Sequence, residues 1–145
     1  MYARGERLVL AESCTGGWIA KVITDLPGSS AWFDRGFVTY SNAAKIRQLG
    51  VDPALIEAFG AVSEQTVTAM AVGALIHSDA QLAIAVSGIA GPGGGTSDKP
   101  VGTVWCAWAR PGRDVQAGHY LLAGDREAIR RQAVVKALEG ASHCF

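Results

Sequence analysis

The sequence predicts an α/β fold, a sandwich built on a mixed, mainly parallel sheet of about five strands. Three observations predict it. Short apolar runs at residues 8–11, 33–40 and 82–86 alternate with stretches of helical periodicity. Each early run ends in a polar or glycine-bearing segment, as strands that feed helices do. A late pair of runs, 101–109 and 115–122, is separated by Arg110-Pro111-Gly112-Arg113, the signature of a hairpin. Helices between early strands call for parallel pairing, and the hairpin adds antiparallel strands at one side.

The elements follow in order. Residues 8–11 form a buried strand, and Thr15-Gly16-Gly17 opens a helix through Trp18, Ile19, Val22 and Ile23 that Pro27-Gly28 stops. The second strand spans 33–40. Helices are expected over 42–49, with Asn42 as its cap, and over 53–59, with Asp52 as N-cap and Pro53 at its first position. Ser63 caps a helix whose Val67, Met70, Ala71, Ala74 and Leu75 share a face. After the strand at 82–86 comes a glycine-rich loop, 88–100. Beyond the hairpin, Asp125 caps a last helix to about Leu138, with Ile129, Ala133, Val134 and Ala137 on its apolar side. Residues 1–145 are expected to form a single domain, since no linker, repeat or low-complexity tract interrupts them.

Composition narrows the function. Apolar residues make up 49% of the chain and charged residues 18%, a balance that builds a core. Thirteen basic residues match thirteen acidic ones, so the surplus of cations that grips a nucleic-acid backbone is missing. No nucleic acid and no membrane partner is expected, as no apolar run reaches the ~18 residues that span a bilayer. Three cysteines at wide spacing, Cys14, Cys106 and Cys144, fit a reducing compartment, and the cytoplasm is the expected location. His77, His119 and His143 show no metal-ligand spacing, so no metal and no cofactor is expected.

Three loops can carry chemistry. In the first, Glu12-Ser13-Cys14-Thr15-Gly16-Gly17, a strand delivers Ser13 to a turn beside unpaired backbone N–H groups. Taken alone, a Ser before Gly-Gly reads as a helix cap sooner than as a nucleophile. In the second, Tyr40-Ser41-Asn42 leads to Lys45 in a helical first turn. There the helix dipole opposes a cation and favours the neutral base, although an exposed Lys is the commoner outcome. The third, Ser87 to Gly95, holds five glycines in eight positions and is suited to cradling phosphate through its N–H groups, or is a plain surface loop. Lys99, Arg126 and Arg130 are candidate cations, the arginines four apart on one helix face. Cys14 is a rival nucleophile without a histidine partner. Glu12 and Asp98 are lone carboxylates, and Trp105 and Trp108 face opposite sides of their strand.

The ordered set Ala11-Glu12-Ser13-Cys14-Thr15-Gly16-Gly17, Thr39-Tyr40-Ser41-Asn42, Ser87 to Gly95, Lys99-Pro100-Val101-Gly102-Thr103-Val104 and Gly124-Asp125-Arg126 closely resembles the CinA C-terminal domain family, the nicotinamide-nucleotide amidohydrolases. The resemblance implies a three-layer α/β/α fold, no cofactor, frequent homodimers and the stand-alone form of the domain. It implies hydrolysis of the carboxamide of nicotinamide mononucleotide to nicotinate mononucleotide and ammonia, in recycling toward NAD. The family's catalytic Ser, Tyr and Lys fall on Ser13, Tyr40 and Lys45. Thr15, Gly16, Gly17, Asn42, Gly91, Gly93, Gly94, Arg126 and Arg130 are the expected substrate-binding residues, and the partner is a small nucleotide. The alternatives are a nucleotide-binding module without turnover, or Ser/Tyr/Lys chemistry on another amide. The resemblance also implies a helix ahead of the first strand. Only seven residues precede Leu8, so part of one sheet face is expected to lie uncovered.

Overall fold

The computed structural model describes residues 2–144. Its sheet has five strands: β1 (Leu8–Glu12), β2 (Phe33–Val38), β3 (Leu82–Gly88), β4 (Thr103–Ala109) and β5 (Gln116–Leu121). They lie in the order β2-β1-β3-β4-β5. The pairs β1–β2 and β1–β3 are parallel, whereas β3–β4 and β4–β5 are antiparallel. Only β4 therefore runs against the rest, and the mixed, mainly parallel sheet has the expected strand count.

Alternation along the strands builds two cores. Leu8 and Leu10 of β1, with Leu82, Ile84 and Val86 of β3, face one layer. That layer consists of α1 (Trp18–Thr24) and α5 (Arg126–Ser142). Val9 and Ala11, with Ala83, Ala85, Ala107 and Ala109, face the other, where α4 (Glu64–Ile76) lies across the sheet. The alanines let α4 approach closely, and α2 (Asn42–Leu49) and α3 (Pro53–Phe59) pack outside it. At the α2–α4 contact, a Cβ on Gly73 would run into the Leu49 carbonyl. The chain is thus a three-layer α/β/α sandwich. Trp105 and Trp108 do face opposite layers, Trp108 in the first core and Trp105 against the second.

Several boundaries differ from expectation for local reasons. Ser41, not Asn42, is the N-cap of α2: its backbone is extended and its side chain accepts from the Ala44 N–H. Residues 101 and 102 stay outside β4, because Gly102 takes a φ of 95° and turns the chain into the strand. The last helix runs on to Ser142, about one turn further than its apolar pattern indicated. On the α1–α5 side an apolar cleft of about 440 Å³ opens over the sheet, lined by Leu8, Leu26, Trp32 and Leu138 among others. Among the described residues no helix is long and apolar enough to cross a membrane.

Candidate active site

Register places the site. Glu12 pairs with Val38 on one side and Val86 on the other; β1 and β2 end at this level, while β3 runs on to Gly88 against β4. Ser13 and Thr39 leave the sheet together, level with Ser87 in β3. The chain crosses from β1 to one neighbour and later returns to the other, the arrangement that opens a crevice beyond the carboxyl ends of parallel strands. A cleft of about 290 Å³ lies there, lined by Ser13, Cys14, Tyr40, Asn42, Lys45, residues 61–62, the 87–94 loop and Arg126.

Lys45 is 1% exposed, the largest of the fully buried side chains. Its Nζ lies 2.9 Å from Ser13 Oγ, 2.9 Å from the Thr39 carbonyl and 3.5 Å from that of Tyr40. Among the described residues no carboxylate forms an ion pair with it. Burial without a counter-charge pulls its pKa below the ordinary lysine value. The neutral amine can take a proton, and the hydroxyl in contact with it can give one. The adjacent thiol is a poor rival: burial pushes Cys14 up to about 11, which keeps it protonated.

Tyr40 stands differently from the relay position its motif suggested. Its side chain is 59% exposed. Its phenolic oxygen is held by Arg126 Nη2 at 2.9 Å, and only its main-chain carbonyl approaches Lys45. Arg126 also donates from Nη1 to the Gly91 carbonyl at 2.8 Å, tying the glycine loop to the tyrosine across the cleft. The loop needs its glycines. Gly91 and Gly94 have φ of 76° and 87°, and a Cβ on Gly95 would lie 2.7 Å from the Val101 nitrogen. Among the described residues the N–H groups of Gly93 and Gly94 have no intramolecular partner. Lys99 is not part of this cleft; its Nζ donates to the Phe59 carbonyl.

The first loop departs most from expectation. Thr15, Gly16, Gly17 and Arg130 do not line the cleft. Gly16 N–H closes a turn onto the Ser13 carbonyl at 3.0 Å. Gly17 N–H is taken by Glu12, whose fully buried carboxylate also accepts from Thr15 Oγ1 and the N–H groups of Ile19 and Ala20. So Glu12, no lone carboxylate, is the cap of α1. Arg130 reaches the same turn from behind, donating to the carbonyls of Cys14 and Thr15, each at 3.0 Å, with its guanidinium 5.3 Å from the Trp18 ring centre. Sequence reasoning also passed over Ser87 as a single residue. It is buried, and its Oγ donates to the Ala61 carbonyl at 2.8 Å, fixing the wall between α3 and α4. Its signal was its place near the end of a strand, level with Ser13.

With this geometry in hand, comparison with known proteins places the chain. The family model of the CinA C-terminal domain matches residues 1–145. The chain belongs to the CinA C-terminal domain family. A nicotinamide-nucleotide amidohydrolase PncC of Escherichia coli K12 is 55% identical over 137 residues, covering 94% of this chain and 83% of that protein. One of the same name from Enterobacter agglomerans is 57% identical over 143 residues, covering 99% and 87%. Among solved structures, the competence/damage inducible protein CihA of Agrobacterium tumefaciens superposes with a TM-score of 0.96 at 47% identity, covering 98% of this chain and 87% of that one. A CinA superfamily protein of Escherichia coli gives 0.94 at 37% identity, covering 99% and 83%.

Proposed function

We propose that this chain hydrolyses the carboxamide of nicotinamide mononucleotide, releasing ammonia and nicotinate mononucleotide, with Ser13 as nucleophile. The observation that carries the reading is the buried, unpaired Lys45 amine 2.9 Å from Ser13 Oγ. The names of the E. coli and E. agglomerans relatives support the substrate.

In this reading Lys45 Nζ takes the Ser13 hydroxyl proton as Oγ bonds to the carboxamide carbon, and the carbonyl π pair moves to oxygen. As the tetrahedral intermediate collapses, the C–N bond breaks and the proton on Lys45 goes to the departing nitrogen, which leaves as ammonia. Water, deprotonated by the same amine, then attacks the ester carbon; as the bond to Ser13 Oγ breaks, Lys45 returns the proton to that oxygen, so the acid is released and free Ser13 regenerated. Tyr40 is reassigned from proton relay to the wall of the cleft, its ring beside the pyridine and its phenol held by Arg126. The phosphate lies against Arg126 and the free N–H groups of Gly93 and Gly94. The product enters pyridine nucleotide recycling toward NAD in the cytoplasm.

The test is ammonia release by purified protein without added metal. Nicotinamide mononucleotide should turn over and free nicotinamide, which has no phosphate for the loop, should do so far more slowly. Ser13→Ala should abolish release while keeping the wild-type melting temperature. Equal rates on both amides would remove the nucleotide from the reading, and turnover by Ser13→Ala would remove the serine.

A further inference from the structure

One guanidinium is linked by hydrogen bonds to the Cys14 N–H, which lies beside Ser13. Arg130 Nη2 donates to the Thr15 carbonyl; the N–H of that peptide, on Gly16, donates to the Ser13 carbonyl; and the N–H of that peptide belongs to Cys14. By a second and shorter route, Arg130 Nε donates to the Cys14 carbonyl, whose peptide carries the Thr15 N–H. The first route ends on the Cys14 N–H, which donates to no other residue among the described residues; Thr15, at the end of the second, is fully buried and lies outside the cleft. The neighbouring donors on Gly17, Ile19 and Ala20 are already taken by Glu12. The peptides concerned are trans, so each N–H points opposite to its carbonyl, and holding the Cys14 carbonyl toward α5 turns the Thr15 N–H away from it. A cation on the carbonyl end of a peptide chain polarises every link and strengthens the terminal donors. Arg130 itself stays out of the cleft, behind the turn, whereas Cys14 and Ser13 line it.

We propose that Arg130 is a positioning residue for acyl transfer: through the first relay it orients and polarises the Cys14 N–H as a donor to the oxyanion formed when Ser13 attacks, and its bond to the Cys14 carbonyl holds the turn in place. It touches no substrate atom, so Arg130 is not the phosphate ligand that its place beside Arg126 on α5 suggested. The proposal rests on the reading of Ser13 as nucleophile.

Removing one oxyanion donor from a hydrolase lowers turnover by roughly 100- to 1,000-fold. Loosening one without removing it should lower kcat of Arg130→Ala about 10- to 100-fold, with KM within about threefold of wild type. The acid limb of the pH profile should not move, since Lys45 is outside both relays. Arg130→Lys, able to serve one carbonyl at a time, should fall between, and added guanidinium should restore part of the kcat of Arg130→Ala. If Arg130→Ala does not fold, Arg130→Lys and Arg130→Gln are read by the same split of kcat from KM. A raised KM with wild-type kcat would place Arg130 on the substrate and overturn the proposal, as would wild-type kinetics. Ser13→Ala run in parallel separates the two failures. If it still releases ammonia, the nucleophile falls and this proposal with it; if it is inactive beside a fully active Arg130→Ala, only this proposal falls.

Discussion

At the scale of single residues, the molecule spends stability on Lys45. An unfolded lysine has a pKa near ~10.4, and burial lowers it in the folded chain. Between those two values the unfolded state binds more protons, so stability rises with pH across that window. Below the folded value the penalty is complete, at about 1.4 kcal/mol for each unit of separation. Lys45→Met removes the titration, although it also deprives the buried Thr39 carbonyl of a donor. The melting temperature of wild type should therefore climb relative to Lys45→Met as pH is raised toward 10, and parallel curves would show that the amine does not titrate between the states. The same shift sets the rate. The proposed mechanism uses the neutral amine as base, so kcat/KM should fall tenfold per pH unit below the depressed pKa and level off above it. Lys45→Arg should be inactive at every pH, since a guanidinium does not give up its proton in a protein.

At the scale of elements, α1 is the piece least able to stand alone. It has seven residues, and its N-cap, Gly17, offers no side chain. The preceding strand supplies the missing acceptor: Glu12 takes four hydrogen bonds at 2.6–3.0 Å, and the residue after it is Ser13. Glu12→Gln keeps the shape but turns an amide donor toward a ring of donors. A buried donor left unsatisfied costs about 1–3 kcal/mol, so Glu12→Gln should lower stability by that order, more than the ~1 kcal/mol expected for the ordinary cap Ser63→Ala. Urea midpoints of the two variants decide it, and an equal loss would mean the carboxylate is no more than a cap. This element also marks what the sequence could and could not tell. The caps Asp52, Ser63 and Asp125 were legible because each sits directly before its own helix and accepts from that helix's first turn. Glu12 was not, because three of its four partners are backbone N–H groups several residues on, which leave no side-chain signature. Ser13 was legible as a residue at a strand exit and Lys45 as one in a helix's first turn. Their contact spans 32 positions and depends on β1 and β2 ending level, which is a matter of register. Arg130 was visible as a cation, but its target is main chain, and so its role was not.

At the scale of the whole molecule, the turn that carries Ser13 is clamped between the sheet and α5, so the position of that helix matters to the proposed chemistry. Trp108 of β4 fixes it: the indole Nε1 donates to the Ala137 carbonyl at 2.8 Å, and Gly140 one turn on lies flat against the ring. An added Cβ at Gly140 would overlap the indole. Two effects then compete in Gly140→Ala. Replacing glycine within a helix gains about 1 kcal/mol in backbone entropy, while overpacking a full core costs about 1–3 kcal/mol. The ring cannot step aside without breaking its hydrogen bond to Ala137, so overpacking should win and the urea midpoint should fall. Arg126 and Arg130 ride on the same helix, four residues apart, so its displacement should lower ammonia release as well. Trp108→Leu alone should also destabilise by opening a cavity. In the double variant the alanine methyl enters that space, so the two losses should sum to more than the loss actually measured. Additive losses would mean that Gly140 and Trp108 do not meet, and the helix that carries both arginines would then be held by something other than this contact.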